Sequence, residues 1–93
     1  MSGGARRRTL RTRRFKHELA DLFRNVDRGK EALSGFEDVV SRLPEQGMAA
    51  PGHPDCCVRP LHTDAGAFLI VYVFTAETVT LLSIRRIPSG PFF

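Results

Sequence analysis

The sequence predicts an α+β domain, with two helices packed on one face of a small, mostly antiparallel sheet. Three observations carry that expectation. A long apolar stretch, Ala67 to Ile87, is broken once by polar residues; two amphipathic stretches lie between Arg13 and Arg42; and a Pro/Gly-rich segment separates the helical half from the strand half. The element order is β-α-α-β-β-β.

The segment Arg8-Thr9-Leu10-Arg11-Thr12 alternates weakly with period 2 and predicts a short edge strand whose arginines discourage stray pairing. Thr12 is placed to cap a helix beginning at Arg13. From Arg13 to Val26, Phe15, Leu19, Leu22, Phe23 and Val26 fall at i, i+4, i+7, i+8 and i+11, one face of a helix. Asp27-Arg28-Gly29 is expected to break it, and a second helix is expected from about Lys30 to Arg42 with Leu33, Phe36, Val40 and Leu43 inward. So short a connection implies an antiparallel helical hairpin.

Pro44 ends the second helix, and Glu45 to Asp55, with two glycines and two further prolines, is expected to be a surface loop. Cys56 to His62 is a candidate strand anchored by Val58 and Leu61, with Pro60 confining it to an edge or a bulge. Phe68 to Phe74 is apolar at nearly every position and predicts a central strand covered on both faces. Thr75 to Thr78 makes a hairpin connection to Val79–Ile84, after which Arg85-Arg86 places cations at the mouth of the sheet. Glu77 and its threonines interrupt the apolar stretch before the roughly 20 residues that a bilayer requires, which excludes a membrane span.

Ninety-three residues form one small domain with a modest core, so a partner is expected. The division is residues 1–8 as a disordered basic arm, 9–87 as the domain, and 88–93 as an irregular tail ending in Phe92 and Phe93. The formal charge of +4 conceals an asymmetry: residues 1–16 hold seven Arg/Lys and no acid, and residues 17–93 hold seven against ten, giving +7 and −3. Such an arm attracts nucleic acid through phosphates, with Arg11, Arg13, Arg14 and Lys16 as candidate contacts, or it is simply a solvated charge run. Cys56 and Cys57, adjacent in sequence, are read as reduced thiols. With His53 and His62 they do not reproduce a zinc spacing, so neither a metal nor a cofactor is expected. The basic start is followed by an amphipathic pattern and not by a signal-peptide core, which points to the cytoplasm.

Phe15 with Leu19 at the start of the first helix, Leu43-Pro44 closing the second, a strand carrying a basic residue, and the hairpin FLIVYVF then VTLLSIRR with Ile70-Val71-Tyr72 together resemble the RelE/ParE family of toxins from bacterial toxin–antitoxin pairs. The resemblance covers about Leu10 to Ile87. It implies an antitoxin partner laying an amphipathic helix or strand over exposed apolar and basic surface. RelE-type members cut mRNA on the ribosome, and ribosome-dependent mRNA cleavage is the activity the resemblance leads one to expect; the alternative is a ParE-like inhibitor of DNA gyrase, of the type that shares the fold and lacks that site, or a degenerate relative without nuclease activity. A nuclease site must deprotonate a ribose 2′-OH, protonate the leaving oxygen and stabilise phosphorane charge. The candidates are Arg59, Arg85 and Arg86 for charge, and His62 for proton transfer, histidine being the side chain suited to it near neutral pH. Two departures from the family pattern stand out: Leu69 occupies the place of a usual arginine, and Phe92-Phe93 replace the C-terminal Tyr or His. A non-enzymatic nucleic-acid-binding module is the alternative of another class.

Overall fold

A computed structural model describes residues 6–23, 26–50, 52–63 and 66–87. In chain order these form β1 (Arg8–Arg11), α1 (Arg13–Leu22), α2 (Val26–Arg42), a 3₁₀ turn (Pro44–Gln46), β2 (Met48–Ala50), β3 (His53–Thr63), β4 (Gly66–Phe74) and β5 (Thr78–Arg86). The five strands make one sheet in the order β1-β5-β4-β3-β2, antiparallel except for the parallel pair β1 and β5. Both helices pack on the same face of that sheet, so the α+β class expected from sequence is the observed one.

The core is built where the helical stripes meet alternate strand positions. Phe15 and Phe23 from the first helical segment, Leu33, Phe36 and Val40 from α2, and Leu61, Phe68, Ile70, Tyr72, Val79, Leu81 and Ile84 from the sheet are all buried. Phe23 and Phe68 pack against each other with ring centroids 4.8 Å apart and ring planes tilted by 42°. Thr12 caps α1 as its sequence suggested, its hydroxyl accepting from the Phe15 N–H at 3.1 Å.

Several boundaries differ from the sequence expectation. α1 stops at Leu22, and Val26 opens α2 instead of closing α1; Gly29 therefore lies inside α2 and not in a turn. Leu43 leaves the helix before Pro44 and is 45% exposed, because the chain turns there into the 3₁₀ segment. The supposed loop after Pro44 carries β2, which pairs with β3 through Met48↔Val58 and Ala49↔Cys57. Pro60 lies beyond the end of that pairing, where β3 is again a sheet edge and a missing N–H costs nothing. β4 is fully covered on one face only: Phe68, Ile70 and Tyr72 are buried, and Leu69, Val71 and Val73, alternating with them, are only partly buried. Of the arm read at residues 1–8, residues 1–5 fall outside the described residues, as does the tail read at 88–93, whereas the Arg7 N–H donates to the Ser41 carbonyl and Arg8 opens β1.

One join sets the geometry of the whole sheet. β1 pairs with β5 only from Thr78 to Leu81, and from there α1 takes over the exposed edge. The Thr12 N–H donates to the Leu81 carbonyl at 3.1 Å, and the Thr12 hydroxyl donates to the Leu82 carbonyl at 3.1 Å. Glu18 Oε1 then accepts from Ser83 Oγ at 2.8 Å and from the Ile84 N–H at 3.1 Å. The carboxylate thus bonds a backbone donor that a longer β1 would have bonded. Opposite β4 this stretch of β5 is bulged: Val71 faces Ser83 and Tyr72 faces Leu81, leaving Leu82 unpaired in register. Burial pushes the Glu18 pKa up, but the hydrogen bonds from Ser83 and Ile84 and the contact with Arg14 outweigh it, and the net shift is downward.

Candidate functional site

Strand alternation divides the candidate residues between the two faces of the sheet. Arg59 falls on the helix side, in register with Ile70, and its Nη1 donates to the Leu43 carbonyl at 3.2 Å. Next to it the Tyr72 hydroxyl donates to the Pro44 carbonyl at 2.6 Å, and burial raises the Tyr72 pKa. Arg59 and Tyr72 together hold the 3₁₀ turn onto the sheet. Arg86 also faces the helix side, its guanidinium 5.0 Å from the Phe68 ring centroid.

Arg85 and His62 point the other way. His62 is exposed, opposite Ala67, and Arg85 is exposed, opposite Leu69. The four residues drawn together by sequence reasoning therefore form two pairs on opposite sides of one sheet. Adjacent arginines on a strand must diverge in this way, and alternation alone would have revealed it.

On the open face lies a cavity of about 460 Å³ lined by Arg14, His53, Val58, Leu69, Val71 and Arg85 among others. Its centre is aliphatic and its border cationic. Arg14, assigned from sequence to a phosphate-binding arm, and Arg85, assigned to phosphorane stabilisation, share this cavity although 71 positions separate them. Leu10 and Met48, 40% and 73% exposed, extend the apolar surface toward the two sheet edges. Sequence reasoning missed this face because it took the apolar run of β4 as buried on both sides.

The N-terminal basic residues are largely engaged within the molecule. Arg6 pairs with Asp38, and Arg7 donates to the Thr75 carbonyl at 2.9 Å while lying over Phe74. Arg11 forks onto Glu37 through bonds of 2.8 and 3.0 Å. That hydrogen bond raises the Arg11 pKa against the lowering effect of partial burial. Arg14 bonds Glu18 at 3.2 Å. Arg13 and Lys16 are exposed on α1. Cys56 and Cys57 carry free thiols on opposite faces, Cys56 lining the cavity with His53 and Cys57 packing against the core. Among the described residues no three metal-ligating side chains gather, and no helix is long and apolar enough to cross a membrane.

No family profile and no curated protein matches the chain. Its fold, however, has a solved counterpart. The chain is similar to one in a structure described as "Chromosomal ParDE TA system from P. aeruginosa", with a TM-score of 0.55 and 18% sequence identity, over 88% of this chain and 97% of that one. At that identity the likeness is one of fold, and it agrees with the RelE/ParE-like architecture that the sequence suggested.

Proposed function

We propose that the chain is the toxin of a toxin–antitoxin pair, neutralised by a partner antitoxin, and that it acts without cleaving RNA, as ParE-type gyrase inhibitors do. The toxin reading is supported by a fold likeness that runs nearly end to end along a chain of a ParDE toxin–antitoxin system. The observation that carries the second half is the division of the candidate site. Phosphodiester cleavage needs a proton-transfer group and charge-stabilising groups converging on one phosphate, about 3 Å from each. Here Arg59 is bonded to the Leu43 carbonyl and Arg86 stacks on Phe68, both on the side away from His62.

Expression of the chain in a bacterial host tests both halves. Growth arrest is expected, relieved by co-expression of the antitoxin, with mRNA intact and plasmid supercoiling by gyrase inhibited. His62→Ala and Arg86→Ala are each expected to remain toxic. Normal growth with well-folded protein would sink the toxin reading. A second reading, ribosome-dependent mRNA cleavage, is favoured by one observation, that His62 and Arg85 share the open face. Under it His62→Ala loses about 10² to 10⁴ in rate, and toxicity disappears.

A further inference from the structure

A regular sheet offers a flat face, and this one holds a hollow because the strands on either side of β4 depart from regularity. On one bank β5 bulges, and Leu82, unpaired in register, turns to the hollow. On the other bank β3 runs from Cys57 to His53 while its partner β2 runs only from Ala49 to Ala50, and both His53 and Cys56 reach the same hollow. Alternation along a regular strand would send those two side chains to opposite faces. The straight strand between the banks supplies the floor, with Leu69 and Val71.

The two banks differ in charge. Arg14 and Arg85 stand on the side of α1 and β5, and among the described residues that line the cavity no carboxylate answers them. Glu18, outside that lining, holds Arg14, whereas the Arg85 side chain makes no hydrogen bond or ion pair among the described residues. One guanidinium is therefore left to take an anion, and a carboxylate matches its fork. The floor of Val58, Leu69, Val71 and Leu82 is aliphatic, and no Phe or Tyr is among the described lining residues, so a nucleobase finds no ring to stack on. Strands about 4.8 Å apart set the banks roughly 10 Å from each other. The volume, about 460 Å³, falls in the range of about 300 to 1,000 Å³ usual for small-molecule sites.

We propose that this cavity binds a free aliphatic carboxylate of medium chain length, its head on Arg85 and its chain across Val71 toward Cys56. The proposal stands independently of the toxin reading. Decanoate, when extended, spans the floor and serves as the probe. The test is calorimetric titration of the full chain with monomeric decanoate and with decylamine, which carries the same chain and the opposite charge. Both titrations are repeated on Arg85→Gln and Arg85→Glu, two changes at an exposed position, each checked for native circular dichroism. The site is located separately from the rates at which iodoacetamide alkylates the two thiols, since Cys56 lines the cavity and Cys57 packs against the core on the other face.

Decanoate is expected to bind about tenfold more tightly than decylamine, with that preference weakened by Arg85→Gln and inverted by Arg85→Glu. At about ten times its Kd, decanoate is expected to slow alkylation of Cys56 about tenfold and to leave the rate at Cys57 unchanged. Equal affinity for the two probes, no binding of decanoate up to its solubility limit, or equal protection of both thiols would overturn the proposal. Cosedimentation with phosphatidylglycerol vesicles by a chain that binds no monomeric decanoate would overturn it too, since the face would then belong to a membrane surface.

Discussion

β4 carries two sets of aliphatic and aromatic side chains that differ little in chemistry and completely in surroundings. Phe68, Ile70 and Tyr72 are fully buried beneath the helices, and Leu69, Val71 and Val73, one residue out of step, stay partly in water on the other side. The two helices are both used on one side, so nothing among the described residues remains to cover the second. A strand that is apolar at every position therefore marks two faces that want covering, and not two faces that the chain covers by itself.

The largest expected effect breaks that contrast directly. Ile70→Ala opens a hole under both helices and is expected to cost about 2 to 5 kcal/mol, and Val71→Ala, one residue on, about 1 kcal/mol or less. Urea denaturation of the two variants side by side measures the difference. Equal losses would mean that the open face is packed in solution and that the contrast is false.

A smaller effect tests how the covered face is closed at its β3 end. The Tyr72 hydroxyl bonds the Pro44 carbonyl, and a Cβ at Gly47 would be driven into that hydroxyl and to 3.2 Å from the Val58 carbonyl. Tyr72→Phe leaves the carbonyl without this donor and is expected to cost about 1 to 3 kcal/mol. Gly47→Ala displaces the ring and is expected to be destabilising in the unmodified chain but milder in the Tyr72→Phe background, where the clashing atom is gone. A double-mutant cycle reads that coupling, and strict additivity would show that the turn does not rest on Tyr72.

Much of the covered face was legible in the sequence. The stripe of Phe15, Leu19, Leu22 and Phe23, the Thr12 cap, and the apolar positions of α2 follow from periodicity and local chemistry, and these were enough for the fold class. What was lost had physical reasons. Gly29 signalled a helix end, but the actual break comes several residues earlier, and a single glycine costs a helix only about 1 kcal/mol. β2 is three residues long and too short to show a period. The cavity shared by Arg14 and Arg85 arises because α1 replaces β1 along β5, a long-range arrangement that no local pattern encodes. By contrast the separation of Arg85 from Arg86, and of Arg59 from His62, was available from alternation once both stretches were assigned as strands.

The smallest and most specific prediction concerns the border where the two faces meet. Glu18 joins α1 to β5 at the bulge, and its Oε1 takes both the Ser83 hydroxyl and the Ile84 N–H. Its Oε2 holds Arg14, which lines the open cavity. Because its pKa is lowered in the fold from an unfolded value of about 4.3, the charged form is favoured by folding. That contribution is complete above the unfolded pKa and is lost as pH falls through the folded one, so stability should drop below about pH 4.3. Glu18→Gln keeps an oxygen able to accept both bonds but cannot ionise, and it should make the acid limb of the stability–pH curve shallower. Glu18→Ala also removes the acceptor, leaves the Ile84 N–H unbonded, and should cost about 1 to 2 kcal/mol more at neutral pH than Glu18→Gln. Urea midpoints from pH 2.5 to 7 separate the two contributions. An acid limb of unchanged steepness in Glu18→Gln would place the titrating group elsewhere, and equal stability of Glu18→Ala and Glu18→Gln at neutral pH would leave α1 held to β5 by Thr12 and apolar packing alone.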